Sequence, residues 1–103
     1  MAEKLGYVPN RGTIILSRGA DWVCSLTDSA PWDADTEVWV EVEGVEEPWQ
    51  AVVNEVTSSA SFVVQSADTD PVQDGAWFRL YMRKPGSPST EYLWWYGTVM
   101  RAE

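Results

Sequence analysis

The sequence predicts an all-β protein, built as a single antiparallel β-sandwich of about seven strands and of immunoglobulin-like size. Residues 36–43 and residues 76–83 each place apolar side chains at every second position, a period that belongs to half-buried strands. No stretch repeats apolar residues at the spacing of an amphipathic helix. Short strand-like runs separated by turn residues are typical of a sandwich, and a small closed barrel is the alternative.

Glycine, proline or aspartate, residues that favour turns, separate most of the predicted strands. Taken in order, the predicted strands are residues 12–17, 21–27, 36–43, 49–56, 61–65, 76–83 and 91–100. Asp70 followed by Pro71 predicts one helical turn over residues 70–74, with Asp70 as its N-cap. Residues 1–10, which contain a glycine and a proline, are predicted to form an extended N-terminal arm, so the β-sandwich domain spans residues 11–103.

The composition argues against an enzyme. The chain of 103 residues has no histidine and one cysteine, Cys24, so it lacks the usual general base, the Ser-His and Cys-His nucleophile pairs and a zinc ligand set. Its many carboxylates fall on open strand faces and in turns, whereas a glycosidase needs one acid in an apolar pocket. Cys24 lies on the same strand face as Trp22 and Leu26, which predicts a small apolar core residue. We expect no catalytic residue and no cofactor.

Three aspartates, Asp68, Asp70 and Asp74, form the one cluster that resembles a cation site. A short loop could present their carboxylates to a hard cation, but the segment lacks the glycine and the distal glutamate of an EF-hand loop. Turn formation and helix capping explain the three aspartates without a metal. We therefore treat them as a weak candidate cluster and expect no metal.

The distribution of charge excludes two classes of partner. The net charge is −9, and thirteen acidic residues but no lysine or arginine lie between positions 21 and 74. Nucleic acid and anionic lipid both bind basic surfaces, so we expect neither nucleic acid nor a membrane as partner. No apolar run is long enough to cross a bilayer, and the N-terminus has no signal-peptide pattern.

Tryptophan and tyrosine are the residues that are most informative about function. Strand alternation predicts that the core contains Val38, Val40, Phe78, Leu80, Trp22 and Trp49. The opposite strand faces mix aromatic and charged side chains, a composition typical of binding hot spots. The candidate interface residues are Trp39, Trp77, Arg79, Tyr81, Arg83 and Trp94, the last placed on one side of its strand with Tyr92 and Tyr96. The alternative is that these arginines and aromatics pair only with one another or with neighbouring glutamates inside the sheet.

Five short motifs follow one another in a recognisable order over most of the chain. They are RGADW at residues 18–22, TEVWVE at 36–41, WQAVV at 49–53, DGAWFRLY at 74–81 and GTVMR at 97–101. In this order they resemble a family of small β-sandwich structural proteins of tailed phages of actinobacteria. The opening is also similar to the N-terminal domains of phage baseplate proteins that attach a receptor-binding module to the tail.

The resemblance implies a phage virion structural protein that is made in the cytoplasm of the bacterial host. We expect a small tail-tip or tail-fibre-associated (minor tail) subunit that acts as an assembly or adaptor module, with a capsid decoration or head-associated protein as the alternative. Its partners would then be other virion proteins and copies of itself. A carbohydrate-binding module, with the exposed aromatics stacking on a host cell-wall glycan, is the alternative from another class.

Overall fold

The fold is that of a computed structural model, which describes residues 5–103. In chain order its elements are β1 (Asn10–Leu16), β2 (Trp22–Thr27), β3 (Glu37–Val42), β4 (Trp49–Gln50), β5 (Val52–Asn54), β6 (Ser59–Val64), α1 (Ser66–Thr69), β7 (Trp77–Lys84) and β8 (Thr90–Arg101). No helix within residues 5–103 has the length and apolar character needed to span a membrane.

The strands form two sheets packed face to face, which confirms the predicted all-β sandwich. The five-stranded sheet has the order β1-β8-β7-β3-β4, and the three-stranded sheet has the order β2-β6-β5. All pairs are antiparallel except β1 and β8, which run parallel from Asn10 opposite Trp95 to Leu16 opposite Arg101. The expectation of a purely antiparallel sandwich is wrong for this pair. A hairpin forces antiparallel pairing, but β1 and β8 lie at opposite ends of the sequence and share no hairpin.

The predicted fourth strand, residues 49–56, is divided between the two sheets. Its first part, β4, pairs with β3, and its second part, β5, pairs with β6. Ala51 lies at the crossing, and its N–H donates to the carbonyl oxygen of Val38 at 2.9 Å. Strands that change sheet at a corner are common in sandwiches, and this crossing closes one side of the molecule.

The core lies between the sheets and contains the residues that the alternation predicted. Val38, Val40, Phe78 and Leu80 are all buried, which confirms the assignment of faces in β3 and β7. Tryptophans from both sheets fill the centre: the rings of Trp22 and Trp49, both buried as predicted, lie 5.7 Å apart between centroids. Rings of this size bury large apolar areas and stabilise the domain.

The helical turn forms four residues earlier than predicted. It spans Ser66–Thr69, and Asp70 lies at its C-terminal end, where the Asp70 N–H donates to the carbonyl oxygen of Ser66 at 2.8 Å. Pro71 has no N–H and cannot donate the next helical hydrogen bond. The pair Asp70-Pro71 therefore ends the helix, and the prediction that Asp70 caps its beginning is wrong.

The backbones of β1 and β8 approach each other at a pair of glycines. Gly12 lies opposite Gly97, and a Cβ added at Gly97 would overlap the carbonyl oxygen of Gly12. A Cβ at Gly12 would in turn lie only 3.1 Å from the ring of Trp95. Glycine is therefore needed at both positions because the two strands and the indole share a space too small for another side chain.

Candidate functional site

The outer face of the five-stranded sheet carries a continuous array of aromatic rings and guanidinium groups. The register of β3 and β7 sets Trp39 opposite Tyr81 and Glu37 opposite Arg83, so side chains that are far apart in sequence become neighbours. We call this surface the arginine–aromatic face, and its residues are Arg11, Trp39, Trp77, Arg79, Tyr81, Arg83 and Tyr96.

Trp39 and Tyr81 form the centre of the face. Their rings are stacked, with centroids 5.7 Å apart and planes 24° from parallel. The guanidinium carbon of Arg83 lies 4.9 Å from the centre of the Trp39 ring. Arg83 Nη1 also donates to Glu37 Oε2 at 3.2 Å, while Arg83 Nε lies 3.4 Å from Glu91 Oε2. Arg83 is thus held by one ring and two carboxylates, an arrangement that restricts its conformation.

Trp77 forms a second ring and cation pair next to the centre. The guanidinium carbon of Arg79 lies 4.7 Å from the Trp77 ring centre, and Trp77 is 38% exposed. Glu43 fixes the backbone beneath it, because the Trp77 N–H donates to Glu43 Oε1 at 3.2 Å and the Glu43 N–H donates to the Trp77 carbonyl at 2.9 Å. Trp77 therefore stands on a fixed backbone, with one of its ring faces under a cation.

Arg11 and Tyr96 complete the face, and sequence reasoning did not select them. The guanidinium carbon of Arg11 lies 5.6 Å from the Tyr96 ring centre, because the parallel pairing sets these residues opposite each other. In the next strand Tyr96 lies opposite Arg79. No local pattern in the sequence indicates this neighbourhood, since it arises from the pairing of the first strand with the last.

Trp94 does not belong to the face, although the sequence analysis placed it there. The pairing of β7 with β8 shifts between Leu80, which lies opposite Trp95, and Tyr81, which lies opposite Leu93. Trp94 is the extra residue of this β-bulge; it is 4% exposed and packs edge-on against Trp32 at 5.5 Å. The bulge also reverses the phase of the strand, so Tyr92 and Tyr96 face opposite sides.

The side chains of the face pair within the sheet, as the alternative in the sequence analysis expected, and the same residue types can also bind a partner. An arginine stacked on a ring keeps its planar set of N–H donors in a fixed direction, suited to carboxylate or carbonyl acceptors. Rings and guanidinium groups held in this way lose little side-chain entropy on binding. Tryptophan, tyrosine and arginine are also the residues that dominate binding energy in protein interfaces.

Two of the three aspartates of the weak metal candidate, Asp70 and Asp74, accept hydrogen bonds from the chain itself. Asp70 Oδ1 accepts from the Gly19 N–H at 3.0 Å, and Asp74 Oδ1 accepts from the Arg101 N–H at 2.8 Å. Arg101 also donates from Nη1 to the carbonyl oxygens of Thr69 at 3.0 Å and of Val72 at 2.9 Å. These contacts join the loop after α1 to β8. Within residues 5–103 no three acidic, cysteine or histidine side chains group as metal ligands would.

An apolar cleft of about 210 Å³ opens between β1 and β2. Its walls include Ile14, Leu26, Phe78 and Leu80, and Cys24 lies at its side. Burial raises the pKa of the Cys24 thiol, which makes it less nucleophilic, consistent with a packing role.

One family model matches this chain. Residues 8–102 match the model described as "LtfC-like, beta-sandwich domain", so the match covers nearly all of the chain. LtfC is a phage tail-fibre-associated protein. A comparison with curated proteins finds none that matches. The match confirms the phage β-sandwich part of the resemblance and leaves the bacterial hosts unspecified.

Proposed function

The chain belongs to the LtfC-like β-sandwich family of phages, and from this premise we propose that it is a structural subunit of the phage tail. In this proposal it is a small tail-tip or tail-fibre-associated (minor tail) protein. It acts without catalysis, as an adaptor that binds another virion protein through the arginine–aromatic face.

The observation that carries the proposal is the organisation of that face. Arg83 and Arg79 lie over Trp39 and Trp77 at 4.9 and 4.7 Å, and the rings are only partly covered by the chain. Truncating a central aromatic anchor of an interface commonly costs about 2 kcal/mol or more of binding. A partner with acidic or carbonyl groups over Arg83 and an apolar group over Tyr81 would complete the set.

The family favours the tail over the head. LtfC is associated with the tail fibre, and a domain of the same family is expected to occupy a related position. A capsid decoration or head-associated role is the alternative, and it requires the same kind of assembly face. Only the location of the subunit in the particle separates the two.

The geometry favours a protein partner over a cell-wall glycan. A sugar-binding platform needs exposed ring faces on which a pyranose can stack. Here Arg83 lies over Trp39, Trp39 stacks on Tyr81, and Arg79 lies over Trp77. A sugar would have to displace these guanidinium groups, whereas a protein can use them as hydrogen-bond donors.

Incorporation into particles tests the proposal. The phage that encodes the chain is grown on cells that also express an epitope-tagged copy, either unmodified or as Trp39→Ala. Purified particles are then analysed by quantitative immunoblot and by gold labelling. We expect the label at the tail, and we expect Trp39→Ala to reduce incorporation about 30-fold, which corresponds to 2 kcal/mol.

Tyr7→Ala is the matched control, because Tyr7 is an exposed aromatic that packs on Tyr92 and lies outside the face. It should enter particles like the unmodified copy. Label on the capsid would show that the subunit belongs to the head and not to the tail. Undiminished incorporation of Trp39→Ala would refute the interface, and tryptophan fluorescence that responds to cell-wall fragments in the isolated chain would support the glycan alternative.

A further inference from the structure

The two sides of the sandwich, where the edge strands of both sheets lie, differ in the length of those edge strands. On one side the chain crosses from β4 to β5, and these edge strands have only two and three residues. The other side has β1 and β2 as edge strands, with seven and six residues. The apolar cleft opens between them. This second side is therefore the open side of the molecule.

The β2 edge lacks the features that usually prevent pairing with another chain. Natural edge strands are short, charged, interrupted by proline or bulged. The sequence of β2, WVCSLT, has no charge and no proline, and it pairs with β6 in an unbroken register. The other edge strand on this side, β1, does carry a charge, that of Arg11.

The backbone of β2 presents a regular row of donors and acceptors on this edge. The Asp28 N–H donates to the Ser58 carbonyl at 2.8 Å and continues the β2–β6 register. Because hydrogen-bonded pairs alternate along an antiparallel ladder, the even-numbered residues of β2 bond to β6. The N–H and C=O groups of Val23, Ser25 and Thr27 therefore point away from it, and none has a backbone partner within residues 5–103.

The outer face of the three-stranded sheet carries no charge. Val23 lies opposite Val63, and Val52 lies beside Ser61; the three valines are 71%, 63% and 77% exposed. We call this surface the uncharged face, and its residues are Val23, Ser25, Thr27, Val52, Asn54, Ser59, Ser61 and Val63. In a chain of net charge −9, it is a surface on which two copies can meet with little repulsion.

We propose that β2 pairs antiparallel with β2 of a second copy, about a two-fold axis at Ser25. The pairing sets Ser25 opposite Ser25 and Val23 opposite Thr27, so on the uncharged face only small or β-branched side chains meet. It joins two three-stranded sheets into one of six strands. A C2 contact must be self-complementary, and an uncharged strand of six residues with free odd-numbered backbone groups meets that requirement.

The second copy would also cover the mouth of the cleft. Cys24 and Leu26 lie on the inner side of β2 and line the cleft, next to the edge that the partner strand would occupy. Pairing therefore removes apolar surface from water as well as forming backbone hydrogen bonds. This inference does not rest on the proposed tail function, because it concerns the isolated chain.

Light scattering and amide hydrogen exchange test the proposal on the purified full chain. We expect the mass of two chains at high concentration and of one chain on dilution. The amides of Val23, Ser25 and Thr27 should exchange slowly in the dimer and fast after dilution. Ser25→Lys places a charge on the axis in each copy and should halve the mass at the concentration where the unmodified chain is dimeric.

Asn54→Lys is the matched control, since it adds the same charge to the same sheet at its other edge, and it should remain dimeric. The exchange measurement needs no variant, so a folding defect in Ser25→Lys leaves the test intact. A monomer at every concentration, fast exchange of the three amides in the dimer, or growth into open-ended aggregates would each overturn the proposal. Loss of incorporation in Trp39→Ala with dimerisation unchanged would separate the two interfaces.

Discussion

The outer faces of the two sheets differ in the kind of side chains they carry and in how firmly those side chains are held. The arginine–aromatic face holds large rings in contact with cations and carboxylates, with Arg83 between Trp39 and Glu37. The uncharged face exposes valine and small hydroxyl side chains, and its contacts between strands include a hydroxyl pair, Ser25 and Ser61, with 3.4 Å between the oxygens. The side chains of the arginine–aromatic face are therefore held in place by one another, whereas those of the uncharged face make few contacts.

In the two proposals, this difference corresponds to two kinds of recognition in one small domain. A surface of oriented rings and guanidinium groups selects a partner by its side chains. A surface without charge beside an open strand edge selects by backbone geometry, because any strand of suitable shape can pair with it. The first suits a different protein and the second suits a copy of the same chain.

Trp94→Ala should have the largest effect, because Trp94 is buried in the core. We expect a loss of about 3–5 kcal/mol in the free energy of unfolding, as for other buried tryptophans. Trp77→Ala, also a truncation of tryptophan but on the arginine–aromatic face, should cost less than about 1 kcal/mol. Urea unfolding followed by circular dichroism measures both. Equal losses for the two variants would contradict the assignment of Trp94 to the core and of Trp77 to the arginine–aromatic face.

Arg83→Gln should have an intermediate effect, because Arg83 joins the Trp39 ring to two carboxylates. The variant loses its contacts with Trp39, Glu37 and Glu91. Half-exposed ion pairs and cation–π contacts are each worth about 0.2–1 kcal/mol, so we expect a loss of about 1 kcal/mol in dilute buffer. The ionic part of this loss should shrink in high salt. A loss that salt leaves unchanged would mean that packing on the ring dominates.

Val63→Thr should have the smallest effect and tests the uncharged face. Val63 is mostly exposed, and threonine keeps the branched shape and the preference for strands. At concentrations where the chain is monomeric, the free energy of unfolding should change by less than about 0.5 kcal/mol. In a core, the added hydroxyl would cost more. A larger loss in the monomer would show that this valine is covered by the chain.

The sequence predicted the faces of β3 and β7 correctly because their period of two is unbroken. Val38 and Leu80 are buried, and Trp39 and Tyr81 lie on the other side, so alternation was sufficient for these candidate residues. Alternation failed in β8, where a bulge at Trp94 adds one residue and reverses the phase. A bulge at this position leaves no mark in the composition of the strand.

Features that depend on distant contacts were not predictable. The change of sheet at Ala51 occurs inside what looks like one continuous strand, and it is fixed by contacts with β3 and β6. The pairing of Arg11 with Tyr96 requires the parallel alignment of the first and last strands. The helix was misplaced because Asp70-Pro71 is compatible with either a start or an end, and the local pattern does not distinguish them.

The parallel pairing of β1 with β8 has a consequence for the order of events during synthesis. In the five-stranded sheet β1 pairs only with β8, and β8 is the last strand of the domain. Until the ribosome has added residues 90–101 and released them from its exit tunnel, β1 has no strand to pair with. The apolar side chains of Ile14 and Leu16 therefore stay without their final cover while most of the chain is being translated. The domain can close only after translation has passed its last strand, because its first and last strands pair with each other.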